Sequence, residues 1–286
     1  MQKVYQVIGV MLLGLFSFFY TEKVIGFIRD TDPIMKTIKK TSKTYEVSPQ
    51  NAKIKGDKIV PGVSGKKVDY KSSFSKMKRY GTYNESLTVF EEVSPTISID
   101  DYYDKYISMG SGINNDVSLV FEVNNNDDIT EITNLLMESG TKATFFVDGL
   151  WLENNRSLAE ILAEDGNELE ILNYNGKYDE LYFSSSLNTL NNVTNVKPKY
   201  CYAKYDQKEV LELCQKLELH TIIPTIQTGN YPYQEVKRKL SKGSIIAMPV
   251  NSSTKIELST VINYIKQKGY VIDTLDNLLS EAGNIK

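Results

Sequence analysis

The stretch Val117 to Asp128, VSLVFEVNNNDD, is where this sequence most openly offers chemistry. An apolar run delivers one carboxylate, Glu122, and then Asn124, Asn125, Asn126, Asp127 and Asp128. A carboxylate at a buried strand end can serve as a general base, and several together can hold a hard cation through oxygen. Asp148, which ends the similar run KATFFVD, is a candidate for the same face. Asp127 and Asp128 have a plainer role as helix N-terminal residues that favour the dipole. The chain has one histidine, His220, at the start of a strand-like run, where it reads as structural; no site built from several imidazoles can be assembled. Cys201 and Cys214 have neither a CxxC spacing nor histidine neighbours, which excludes a metal knuckle and a redox motif. Buried free thiols are expected, since a disulfide requires the strand of Cys201 to face the helix of Cys214.

The elements that must position these groups begin at Ile113. Strand-like DVSLVFEV, KATFFVDG, NELEILNY, KPKYCYA, HTIIPTI, SIIAMPV and YVIDTL alternate with helix-like DDITEITNLLMESG, NRSLAEILAEDG, DQKEVLELCQKLEL, YQEVKRKLSKG and TKIELSTVINYIKQKG. Several helices end in glycine just before a strand, the pattern of parallel βα units. Six or seven units in about 170 residues suit a barrel or partial barrel, whose functional face is formed by the carboxyl ends of the strands.

Ahead of this α/β domain, 113–286, three further regions are expected. Val4 to Tyr20 is a nearly charge-free apolar run near the lower limit for a spanning helix, with no small-residue cleavage site after it, so residues 1–28 read as an uncleaved signal anchor. Residues 29–58, rich in Lys, Thr and Ser with little periodicity, read as a basic stalk. Residues 59–112 read as a small β-rich accessory region punctuated by Pro and Gly, without a helix long enough for a bundle. The net charge of −3 on 286 residues hides a split. From Ile34 to Arg79 there are 13 Lys/Arg against 3 Asp/Glu, and from Tyr80 onward 17 against 30. A basic segment next to a membrane can be a solvated tether or can attract anionic lipid or wall polymer.

The order and content of the βα units resemble the polysaccharide deacetylase family, the NodB-type enzymes that remove acetyl groups from N-acetyl sugars. The likeness covers about Asn115 to Glu281 and rests on TKATFFVDG, LAEDGNELEILNY, KPKYCYAKYDQKEVLELCQKL, KGSIIAMPV and KGYVIDTLDNLL. It implies a NodB-like irregular (β/α) barrel. The family's chemistry uses a divalent metal held by one Asp and two His, a second Asp as base, and a late His as acid. Carried over motif by motif, the Phe-Asp-Asp-Gly strand end becomes Phe121-Glu122-Val123-Asn124, so the base position keeps a carboxylate and the metal-ligand position is Val123. The two-histidine motif falls on Leu172 and Gly176, the Arg-Pro-Pro-Tyr-Gly motif on Tyr202 to Asp206 with only Tyr205 kept, and the late Leu-His pair on Met248 and Pro249. The resemblance is therefore to a degenerate member with no metal and no other cofactor.

What remains at the strand ends suits a glycan groove. Glu122, Asn124, Asn125, Asp148, Asn173, Tyr174, Tyr202, Tyr205, Asn230 and Tyr231 are the expected binding residues, aromatics stacking on sugar faces and amides bonding hydroxyls. The expected function is a membrane-anchored pseudo-polysaccharide deacetylase, a peptidoglycan-binding or regulatory module of the cell envelope. A deacetylase with rearranged ligands and a protein–protein scaffold for cell-wall remodelling are the alternatives, and no nucleic-acid partner is expected. The lysines after the apolar run would by themselves place the body in the cytoplasm. The family's substrates imply instead a single-pass protein with its main domain outside.

Overall fold

The computed structural model describes residues 26–282, with Met11, Leu13, Phe16, Ser17, Lys23 and Val24 before them. No helix among the described residues is long and apolar enough to cross a membrane, and the expected span over Val4–Tyr20 falls largely outside them. Two compact units are present, one of residues up to Pro49 with Ser64–Ser94, the other of Gln50–Val63 with Pro95–Ala282.

In chain order the first elements are α1 (Pro33–Ser42), β1 (Lys53–Lys55), β2 (Lys58–Val60), β3 (Gly65–Val68), α2 (Tyr70–Tyr80), β4 (Phe90–Val93) and β5 (Tyr106–Ile107). The smaller unit holds α1, α2 and the antiparallel pair β3–β4 around Ile38, Val68 and Met77. Asp32 caps α1 ahead of Pro33, and Asp69 caps α2, which ends at left-handed Gly81. Residues 29–58 are thus folded rather than an unstructured stalk, and region 59–112 contains an 11-residue helix. It is also split, because β2 and β5 belong to the larger unit, which begins at Gln50 and takes in β1 as well, rather than beginning at Ile113. Strands of two or three residues are too short to show a period of two.

The larger unit continues with β6 (Asp116–Val123), α3 (Thr130–Glu138), β7 (Thr144–Val147), α4 (Gly149–Asn154), α5 (Arg156–Glu164), β8 (Glu168–Ile171), α6 (Glu180–Thr194), β9 (Tyr200–Tyr202), α7 (Lys208–Lys216), β10 (His220–Ile222), β11 (Ile226–Gln227), α8 (Pro232–Lys239), β12 (Ile245–Pro249), α9 (Ser252–Gln267), β13 (Val271–Asp273) and α10 (Leu275–Leu279). The sheet order is β1-β2-β5-β10-β9-β8-β7-β6-β12-β11, with β13 also on β6. From β2 to β11 the neighbours run parallel, so their carboxyl ends share one face, and β1 and β11 remain as open edges. Helix α6 was not foreseen, because its Ser- and Asn-rich sequence shows no strong apolar stripe.

Burial alternates along the strands. Val117, Leu119, Phe121 and Val123 of β6 join the core beneath the helices, whereas Val120 packs with Phe146, Leu172, Tyr202, Ile222 and Ala247 inside the curl of the sheet. The cysteines contradict the expected free thiols. Cys201 on β9 and Cys214 on α7 are fully buried and disulfide-bonded, with Cα atoms 6.2 Å apart, because α7 packs back onto the strand before it. Replacing both by alanine opens a loop closed across 13 residues and should cost about 2 to 4 kcal/mol, read as a lower denaturant midpoint. An unchanged midpoint would contradict a structural role.

Two carboxylates on β8 are also enclosed. Glu170 accepts from the backbone N–H groups of Lys199 and Tyr200, and Glu168 from Thr144 Oγ1 and the N–H of Asp276. Burial pushes both pKa values up, that of Glu168 to about 7. A carboxyl whose folded pKa is raised favours the fold most at low pH and loses that contribution as pH rises through the folded value. The wild type should therefore lose stability relative to Glu168→Gln between about pH 4.5 and pH 8, as followed by melting temperature. A difference constant across that interval would refute it.

Candidate functional site

Glu122 is the last inward-facing residue of β6, and its backbone lies in register between Phe146 of β7 and Pro249 of β12. Its side chain is only 14% exposed. Oε1 accepts a 2.7 Å hydrogen bond from the hydroxyl of Tyr202, and Lys204 Nζ stands 3.8 Å from Oε2. The lysine is half exposed, so this ion pair is weak, and the buried phenol is the stronger partner. Burial raises the Tyr202 pKa far above its usual value and the Glu122 charge adds to it, so the hydroxyl stays a donor. Tyr178 donates to the backbone carbonyl of Tyr202 at 3.3 Å, its pKa pushed up to about 12 by burial and then by Glu122. Gln227 Nε2 donates to the carbonyl of Lys204, tying the end of β11 to the same mouth.

The positions where a metal would be held do not fit one. Val123 is fully buried in the core beneath the helices, on the opposite side of the strand from Glu122. Leu172, 4% exposed, fills the interior beside Phe146 and Tyr202. Gly176 has φ 74, a left-handed conformation in which a histidine would be strained. Pro249 has no donor side chain. An aspartate at position 123 would be buried without a charge partner. Among the described residues no group of three or more His, Cys, Asp or Glu side chains is placed to hold a metal ion.

The other expected binding residues fall into separate groups. Asp148 is 2% exposed and is committed to structure: it caps α4 through the N–H groups of Leu150 and Trp151 and accepts from Gly176 N at 3.2 Å. Asn173 is also buried, accepting from Gly176 N at 2.8 Å through its side chain and from Gly149 N through its carbonyl. Gly149 is required there, since a Cβ would lie 2.1 Å from Ser186 Oγ. Tyr174 stacks on Tyr182 with ring centres 4.8 Å apart, its hydroxyl 3.4 Å from Glu153. Asn124 is held by Asp127 Oδ2 through its backbone and side-chain amides, and Asn125 is half-buried in the same turn. Tyr205 and Tyr231 are about two-thirds exposed, and Asn230 and Tyr231 edge a separate cleft of about 400 Å³ with Glu235, Arg238 and Lys239. Of the expected residues, then, only Glu122 and Tyr202 bond directly to each other at the mouth. Lys204 and Tyr178 were missed. Lys204 sat inside the quoted Tyr202–Asp206 motif but matched nothing in the family pattern, and Tyr178 lay beyond any motif.

His220 is buried on β10, 5% exposed. Tyr202→Phe removes the strongest bond to Glu122 and should lower the unfolding free energy by about 1.5 to 3 kcal/mol, as measured in urea. A value within experimental error of zero would mean that solvent or Lys204 already satisfies Glu122.

Residues 110–178 match the polysaccharide deacetylase family. The uncharacterized protein YlxY of Bacillus subtilis is 29% identical over 274 residues, covering 89% of this chain and 86% of that one. The crystal structure of BA3943, a CE4 family pseudoenzyme from Bacillus anthracis, superposes with a TM-score of 0.67 at 27% identity, over 88% of this chain and 97% of that one. A BA3943 mutant with restored enzymatic activity superposes equally well, at 26% identity over 88% of this chain and all of that one. The Bc1960 peptidoglycan N-acetylglucosamine deacetylase shares the fold, with a TM-score of 0.55 at 19% identity over 64% of this chain and 97% of that one. The curled, half-barrel sheet is the NodB-like fold, and the chain is similar to CE4 family pseudoenzymes and, over residues 110–178, to the polysaccharide deacetylase family.

Proposed function

We propose that this protein is a pseudo-deacetylase of the cell envelope that binds peptidoglycan, or a related envelope glycan, without metal-dependent catalysis. The observation that carries this reading is the state of Glu122. The one carboxylate left at a family catalytic position is bonded to a buried phenol and an ammonium group, and its neighbours Val123, Leu172, Gly176 and Pro249 offer no metal ligand. Hydrolysis of an amide needs a polarised carbonyl and an activated water, and this donor set supplies neither. The exposed rings of Tyr205 and Tyr231 and the amide of Asn230 give the carboxyl-end face the side chains that stack on and bond to sugars. Peptidoglycan is favoured because Bc1960, which shares the fold, is a peptidoglycan deacetylase.

A place outside the cytoplasm, anchored by the apolar run at the amino terminus, belongs to the same proposal. The buried disulfide supports it, since such bonds form and persist in oxidising surroundings. The test uses the full chain. It should co-sediment with insoluble peptidoglycan, Tyr205→Ala with Tyr231→Ala should weaken retention by roughly tenfold, and no acetate should be released from N-acetylglucosamine oligomers. Retention indifferent to both tyrosines would remove these exposed rings from the reading. One zinc ion per chain that survives dialysis, with acetate release abolished by a chelator, would replace the reading with an active deacetylase.

A further inference from the structure

The two units differ in the sign of their charge. Residues 26–49 and 64–94 carry 11 Lys/Arg against 7 Asp/Glu, whereas residues 50–63 and 95–282 carry 19 against 28. An anionic surface attracts the first unit and repels the second. The surplus is concentrated on α1. That helix buries Met35, Ile38 and Ser42, and Lys36, Lys40 and Lys43 follow the spacing i, i+4, i+7 along its outer side. All three are exposed and have no ion-pair partner among the described residues, whereas Lys39 pairs with Asp30 at 3.2 Å and Lys78 of α2 with Asp32 at 2.7 Å. Like charges four apart on a helix repel, so the row carries a cost that an anionic partner would relieve.

Ahead of α1 the exposed side chains change character. Residues 26–31 are helical, and Val24, Phe27 and Ile28, spaced i, i+3 and i+4, are open to solvent, Phe27 at 71% and Ile28 at 62%. Large apolar groups gathered on one helical face mark a surface that something covers. The stripe continues the apolar run Val4–Tyr20, and Pro33 follows Tyr20 by 13 residues. That is at most about 45 Å of extended chain, and less where the chain is helical. Apolar run, apolar stripe and lysine row succeed one another in the order of acyl layer, interface and headgroups.

We propose that the smaller unit docks on an anionic phospholipid surface, with Val24, Phe27 and Ile28 in the interface and Lys36, Lys40 and Lys43 on the phosphate headgroups. This rests on the membrane anchor of the proposed function and not on glycan binding at the mouth. A wall polymer would offer the same phosphates but no apolar layer for the stripe, which favours the lipid.

The test reconstitutes the full chain with vesicles of phosphatidylcholine, alone or mixed with phosphatidylglycerol, that carry a headgroup quencher. A fluorophore is attached at exposed Thr44→Cys, the native cysteines being paired and buried. Quenching should be stronger on the anionic vesicles and fall to the neutral level in high salt. Lys36→Gln, Lys40→Gln and Lys43→Gln together should abolish the difference, and they remove no bond that the fold uses. Phe27→Ser with Ile28→Ser should reduce quenching on both lipids. Flotation of the chain with neutral vesicles reads the anchor separately. If nothing floats, the anchor fails, and the lysine row is read from binding to anionic vesicles, which the triple variant should weaken by roughly 100-fold. In either arm, no gain from phosphatidylglycerol, or a gain untouched by the triple variant, would overturn the docking. Binding of soluble polyglycerol phosphate through the same lysines, with no gain from the lipid, would overturn it in favour of a wall polymer.

Discussion

Strand β6 is buried on both faces, and much of the rest follows from that constraint. Alternate residues of a strand point to opposite sides, so a strand between two apolar layers can expose polar groups only where it runs out of the sheet. Phe121 and Val123 are committed to the core beneath the helices and Val120 to the interior, which leaves Glu122 as the inward residue at the carboxyl end. A charge so nearly enclosed must be bonded. The Tyr202 hydroxyl, delivered by β9, is the group that does this, and Lys204, two residues further along, reaches the other oxygen from solvent.

The same packing leaves no hole at the positions where the family holds its metal. The side chains at positions where the family has donors are not ligands turned aside. Val123 and Leu172 are parts of two apolar clusters, and each contributes to the fold by being apolar. Asp148, the remaining carboxylate near this face, holds the turn at Gly176 and the start of α4 together. A loop that a metal could otherwise organise is organised here by one carboxylate, one asparagine and a glycine that lets Ser186 approach.

The βα rhythm from β6 to β13 was legible because long apolar strands, helices with glycine stops and short connections are local signals. The strands β1, β2 and β5 were not, since runs of two or three residues have no readable period and find their place through partners distant in sequence. The disulfide was undecidable for a similar reason: it depends on α7 folding back onto β9. At the site, residue types were legible and partnerships were not. Glu122 stands out in the sequence as a carboxylate at a strand end, but its bond to Tyr202 crosses 80 positions of sequence, and Lys204 matches nothing in the family motif that contains it. Glu170, on a strand that alternates polar and apolar residues, is buried inside the curl of the sheet, where backbone N–H groups bond its carboxylate.

Strand β9 shows how three residues can hold a position between two polar ends. So short a strand makes few ladder bonds, yet its side chains are fixed on both faces. Cys201 points to the helix side and is covalently tied to α7. Tyr200 and Tyr202 point inward, and their hydroxyls are bonded to Asp276 at the amino end and Glu122 at the carboxyl end. Each phenol is held in its protonated form by burial first and by nearby carboxylate charge second. A buried phenol that must donate and a carboxylate that must accept are satisfied by each other, whereas either alone would carry a desolvation cost. Tyr202 at one end and Tyr200 at the other are thus fixed by one short strand, and neither end of β9 can shift far without breaking a charge-assisted bond or straining the disulfide.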